Sequence, residues 1–192
     1  MSIVRLELNK IEIHRPKQRW RLYFVIVADH PENKDQMVVT VIPEDVILVV
    51  PDQENIISFE PEGKGSDGML LLSRELPSNR ELNVHFYVMH SRRSKREVGE
   101  VLNNIKSGVG NKVIGLATDI LGTATPWLAI SKTAISLIGQ VLEKIPDRSL
   151  GFVSMFERFG SEFENEVEID RENRGGNVTV VHSWSLVFDT IA

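Results

Sequence analysis

Between Ser94 and Ile145 the apolar residues of this chain fall at helical spacing, and on both sides of that window they fall at strand spacing. This change of period, and its reversal, limits the folds open to the chain more than any single motif does. Val98, Val101, Leu102, Ile105 and Val109 share one face of a helix. Ser94 and Glu97 have capping-box spacing, in which the hydroxyl accepts a backbone N–H and the carboxylate reaches back. Gly108 and Gly110 suit its end. A second helical pattern runs from Lys112 to Leu121, with Val113, Leu116, Ala117 and Ile120 in register. Pro126 suits the first turn of a third helix, with Trp127, Ile130, Ala134, Leu137, Ile138, Val141 and Ile145 along one side and Pro146 as its end.

The flanking regions read as strands. Val4, Leu6 and Leu8 alternate with charged residues, and then the apolar parity shifts to Ile11 and Ile13. A one-residue slip would turn every later side chain to the other face unless a bulge absorbs it, so Asn9-Lys10 is the expected bulge. Trp20 to Ala28 is apolar almost throughout, as in a central strand. Met37 to Ile42, Val46 to Val50, Ile56 to Phe59, Met69 to Leu72 and Leu82 to Met89 follow, separated by prolines and polar turns. After the helical window, Leu150 to Phe159 is a strand, and Phe163, Val167 and Ile169 alternate with acids. Asn173 to Asn177 is a hairpin turn signal, and Val178 to Phe188 closes the chain.

Strands on both sides of an all-helical window predict a mostly β fold with an α insert. The expected form is one antiparallel β-sandwich domain over residues 1–192, carrying a two- or three-helix insertion at about 94–145, before the last strands. Composition adds limits. The formal net charge of −5 gives no general attraction for nucleic acid. The absence of cysteine rules out a disulfide framework and fits a reducing, cytoplasmic setting. Residues 1–13 lack the apolar core of a signal peptide. The most hydrophobic stretch, Val113 to Leu142, is broken by Asp119, Pro126 and Lys132, which disfavours a spanning helix.

Two stretches resemble C2 domains, the lipid- and partner-binding β-sandwiches. One is Val4 to Ala28, a bulged strand and a loop followed by an aromatic-led strand at Trp20-Arg21-Leu22-Tyr23. The other is Leu82 to Val88, followed by Ser94 to Val101. The resemblance implies a sandwich with binding loops at one end. It does not imply calcium here. A hard cation needs several carboxylate oxygens, and the corresponding loops read His14-Arg15-Pro16-Lys17-Gln18-Arg19 and Met89-His90-Ser91-Arg92-Arg93. We therefore expect calcium independence and no cofactor.

Those loops carry the first candidate surface. Arg92, Arg93, Lys95 and Arg96 form the densest cationic run, and cations at a helix N-terminus oppose its dipole. In a C2-like order, Arg15, Lys17 and Arg19 lie beside them, and the patch suits an anionic lipid surface. A solvated connection explains the same residues. Glu162, Glu164, Glu166, Glu168 and Asp170 share one parity and would line one face of a strand, either as a guarded edge or as a site for a metal or basic partner. In the helical window, Trp127, Ile130, Ile138 and Val141 are the candidate partner interface, with packing inside the fold as the alternative.

No catalytic constellation stands out. His14, His30, His85, His90 and His182 have no paired-ligand spacing. No serine sits in a nucleophile elbow, and Gly63 to Gly68 lacks the phosphate-loop order. The expected function is a non-catalytic interaction module that binds a protein partner or self-associates through the helical insert. The alternative is a membrane-acting protein whose basic loops meet anionic lipid while its Gly/Ala-rich helices insert.

Overall fold

The computed structural model describes residues 2–15, 19–50, 55–59, 68–93, 98–117, 127–164 and 167–188. Among these described residues, eleven strands and two α-helices follow in chain order: β1 (Ser2–Ile13), β2 (Trp20–Asp29), β3 (Gln36–Val49), β4 (Ile56–Ser58), β5 (Met69–Glu75), β6 (Glu81–His90), α1 (Val98–Val109), β7 (Val113–Ala117), β8 (Trp127–Ser131), α2 (Ile135–Lys144), β9 (Arg148–Arg158), β10 (Ile169–Gly175) and β11 (Val178–Phe188). They form two antiparallel sheets. The first runs β10-β11-β1, with β4 and β5 sharing the far edge of β1, and the second runs β7-β8-β3-β2-β6-β9.

The parity shift in β1 is absorbed where the sequence requires it. The β1–β11 register slips between Leu8 and Lys10, which leaves Asn9 out of the ladder pairing, while its Oδ1 accepts the Ser183 hydroxyl of β11 at 3.3 Å. The slip lets Val4, Leu6, Leu8, Ile11 and Ile13 all point inward, each at 0% exposure. They meet Trp20, Leu22, Phe24 and Ile26 of β2 in the core between the sheets. The other face of β2 carries Tyr23, Val25 and Val27, and these are buried as well. A strand covered on both sides has no polar face to show, which is why it reads as a continuous apolar run.

The second cover is helical. Val101, Leu102, Ile105 and Val109 of α1 and Ile138, Val141 and Leu142 of α2 pack on Val25, Val39, Val41 and Met89 of the second sheet. The result is three layers, with the first sheet, the second sheet and the helices stacked in that order. The helices cross closely at Gly108, where an added Cβ would lie 2.3 Å from Val141 Cγ2. Gly108 thus belongs to the packing of α1, and the chain leaves the helix at Gly110, whose φ of +63° suits glycine.

Two expectations about the insert are corrected. Val113–Ala117 is a strand, not a helix, and the third helix does not begin at Pro126, because Trp127–Ser131 is also a strand. β8 pairs with β3 from Gln36↔Ser131 to Val39↔Leu128, and β7 pairs with β8 outside it. The insert of about 94–145 is therefore mixed, and it widens a sheet of the sandwich. β8 is buried on both faces, so its apolar run carries no strand alternation to separate it from a buried helix. The capping box Ser94 to Glu97, residues 118–126 and most of the Gly63 to Gly68 loop lie outside the described residues.

A third correction concerns the acidic row. Ser161–Phe163 is a 3-10 turn, and β10 starts only at Ile169. Phe163 is drawn into the core against Phe159, with ring centroids 4.9 Å apart. That anchor bends the chain out of a strand, so the row does not line a single strand face.

One contact closes the sandwich at the hairpin tip. An added Cβ on Gly175 would sit 1.7 Å from the Phe152 carbonyl oxygen, and one on Gly151 would sit 2.1 Å from the Gly175 oxygen. Glycine at both positions lets β10 of one sheet cross β9 of the other, and Asn177 N–H donates to Leu150 O at 2.9 Å beside them.

Candidate functional site

The basic loops meet at one end of the second sheet, where β2 begins and β6 ends. Leu22 pairs with His90, Ser91 N–H donates to Arg21 O at 2.8 Å, and the Trp20 and His90 rings meet edge-on at 5.1 Å. These bonds place the exposed side chains of Arg19 and Arg21 beside those of Arg92 and Arg93. β9 enters the same end with exposed Arg148, which pairs with His90. Arg15 lies at this end over the first sheet, where its Nε donates to Asn177 Oδ1 at 3.1 Å. Lys17, Lys95 and Arg96 lie outside the described residues.

Asp147 fixes the root of this cluster. Its Oδ2 accepts the Tyr23 hydroxyl at 2.9 Å, and its Oδ1 accepts the Arg92 backbone N–H at 3.1 Å. The start and the end of the insert are thereby joined through one carboxylate. Arg93 bonds Glu100 of α1 at 3.0 Å. Among the described residues, the side chains of Arg19, Arg21, Arg92 and Arg148 make no ion pair.

Apolar side chains adjoin these cations. Leu48 is 58% exposed and Val50 is 69% exposed at the same end. Leu48 lies directly opposite Arg21 in the β2–β3 ladder. Reading the chain alone missed Arg21, Arg148, Leu48 and Val50. Arg21 had a signal, since it is a lone cation in an otherwise apolar strand start. The others depend on strand ends meeting in space.

The four side chains expected at a partner interface are in the chain's own cores. Trp127 packs between the sheets at 2% exposure, while Ile130, Ile138 and Val141 pack under the helices at 0%, 0% and 8%. Trp127 and Ile130 belong to β8 of the second sheet, and Ile138 and Val141 belong to α2, whose apolar face covers that sheet. Of the acidic row, Glu162, Glu164, Glu168 and Asp170 are exposed, and Glu166 lies outside the described residues. Asp170 accepts from Asn9 Nδ2 at 3.2 Å. The 3-10 turn follows the far end of β9, so this row is remote from the arginines.

The histidines are dispersed. His14 meets Thr179 Oγ1 at 2.8 Å and Glu12 at 3.3 Å. His85 stacks on Phe152 with centroids 5.6 Å apart, and burial lowers its pKa. His182 is buried beside Trp184, and burial, with Arg171 nearby, lowers it to about 4. No helix among the described residues is long and apolar enough to cross a membrane.

The chain is thus an antiparallel β-sandwich with a helical layer on one sheet and a cationic end. No family model matches it, and no curated protein matches it. Among solved structures, a fragment titled Drosophila C2-DSL-EGF1 aligns over 99% of this chain and 69% of its own length, at 8% identity and a TM-score of 0.39.

Proposed function

We propose that this chain is a non-catalytic interaction module that docks its basic end on an anionic lipid surface without calcium. One observation carries the reading: unpaired Arg21 stands opposite exposed Leu48, in a cluster with Arg19, Arg92, Arg148 and exposed Val50. Cations attract anionic headgroups, and short apolar side chains beside them can enter the interfacial layer. The stretches similar to C2 domains contain or adjoin these same loops. A cytoplasmic setting supplies the anionic leaflet and agrees with the absence of cysteine. The helices have no inserting role in this proposal, since their apolar faces cover the second sheet.

Vesicle flotation tests it. Phosphatidylserine vesicles should carry the protein up the gradient with EDTA present, phosphatidylcholine vesicles should not, and added salt should release it. Equal behaviour on both lipids would contradict the proposal.

A second reading retains self-association but moves it to β9. Phe152 and Phe156 are 42% and 58% exposed on this edge strand of the second sheet. A twin subunit could cover them. Light scattering at several concentrations should then show a dimer that Phe156→Ser dissolves. A monomer at all concentrations would end this reading.

A further inference from the structure

One side of the sandwich is tied shut by an ion pair that runs from sheet to sheet. Arg171 of β10, at the edge of the first sheet, donates through Nε to Glu157 Oε2 at 2.9 Å and through Nη2 to Glu157 Oε1 at 3.3 Å. Glu157 belongs to β9, the edge of the second sheet, and its side chain is buried. A two-bond pair of this kind fixes orientation as well as distance, so it holds β10 against β9.

Beside this tie sits a buried imidazole. His182 of β11 lies directly opposite Arg171 in the β10–β11 ladder and is 1% exposed. Leu8 of β1 flanks it on the other side, and its ring meets Trp184 edge-on at 6.1 Å. Among the described residues, Nδ1 has no hydrogen-bond partner. Arg171 is the charged group that faces the imidazole. Asp170 and Glu172 alternate to the opposite side of β10, where Asp170 bonds Asn9, and the Glu157 carboxylate is turned to the guanidinium. A proton on His182 therefore buries a second cation beside the first, with no carboxylate of its own. Burial, and after it Arg171, lower the His182 pKa to about 4, while a hydrogen bond to the Val180 backbone acts the other way.

The element able to yield is β10. It is an edge strand of seven residues, none of them buried. With β10 lifted, β11 becomes the edge and water reaches His182. We infer that acid opens the sandwich on this side: protonation of His182 drives Arg171 off, the Arg171–Glu157 tie parts, and β10 leaves β11 while the rest of the fold persists. The device does not depend on the lipid reading. Its direction follows from linkage. Closed, His182 titrates at about 4; open, it returns toward the ordinary ~6.5, so the open form takes up the proton and gains as pH falls between those values. Opening should be about twentyfold more populated at pH 5 than at pH 7.

Amide hydrogen exchange of the full chain at pH 7 and pH 5, corrected for intrinsic exchange rates, tests this. Residues 169–175 should lose protection about twentyfold at pH 5, and residues 22–28 of β2 should not follow. His182→Leu should abolish the pH response of residues 169–175. Glu157→Gln removes the tie without the imidazole, and Arg171, being partly exposed, can turn to water, so the fold should survive. This variant should show at least about threefold lower protection of residues 169–175 already at pH 7, which keeps the test open if His182→Leu fails to fold. Unchanged protection of β10 at pH 5 in the native chain, an equal loss in β2, a retained pH response in folded His182→Leu, or native protection in Glu157→Gln would each overturn the inference.

Discussion

Tyr23 and Asp147, separated by 124 residues in sequence, share a buried hydrogen bond of 2.9 Å. Tyr23 lies on the helix-covered face of β2, and Asp147 follows α2 and also holds the Arg92 N–H. Removing the carboxylate leaves a buried hydroxyl and a backbone donor short of their acceptor. Asp147→Ala should lower the unfolding free energy by about 2–3 kcal/mol, and Tyr23→Phe by about 1 kcal/mol. Urea titration checks the magnitudes. Hydrogen exchange in α1 should quicken more in Asp147→Ala than exchange in β1, because the change loosens the root of the insert.

The glycines separate into two classes with opposite expectations. Gly175→Ala places a methyl group 1.7 Å from a backbone oxygen, and neither strand can give way cheaply. We expect a loss above about 3 kcal/mol, or failure to fold. Gly139, inside α2, has nothing within 4 Å of a built Cβ. Gly139→Ala should raise stability by about 0.5–1 kcal/mol through helix propensity and a less free unfolded chain. Thermal melts of both variants decide this.

His182 makes stability depend on pH in a stated direction. Its folded pKa of about 4 lies below the ordinary 6.5, chiefly because burial disfavours the charged form. Between those values the unfolded chain binds the extra proton, so stability rises with pH. The contribution is fully present above pH ~6.5 and is lost as pH falls toward ~4, to a limit of about 3 kcal/mol. Burial lowers His30 and His85 as well, which adds to the same trend. Unfolding free energies at pH 7 and pH 5 should differ less in His182→Leu than in the native chain.

Much of the sandwich was legible because its signals are local. The parity shift at Asn9-Lys10 marks the bulge, and the Asn173 to Asn177 turn joins β10 to β11, with Gly176 at a φ of +63°. α1 was legible from its apolar stripe, which is buried as expected at Val101, Leu102, Ile105 and Val109. β8 was hidden because burial on both faces erases its alternation. The acidic row misled because its alternation is real in sequence, while Phe163 is held by Phe159 and turns the chain aside. Arg92 and Arg93 stood out as neighbours in sequence. Their companions Arg21 and Arg148 did not, since only the meeting of β2, β6 and β9 brings them together.

The central claim concerns that meeting point. Flotation on phosphatidylserine vesicles should be compared for the native chain, for Arg21→Glu with Arg92→Glu and Arg148→Glu, and for Glu162→Lys with Glu164→Lys and Glu168→Lys at the far end. All six positions are exposed, so the folds should survive, as circular dichroism would verify. We expect the arginine variant to stay at the bottom of the gradient and the glutamate variant to float at least as well as the native chain. Native-like flotation of the arginine variant, or no flotation of the native chain, would contradict the account.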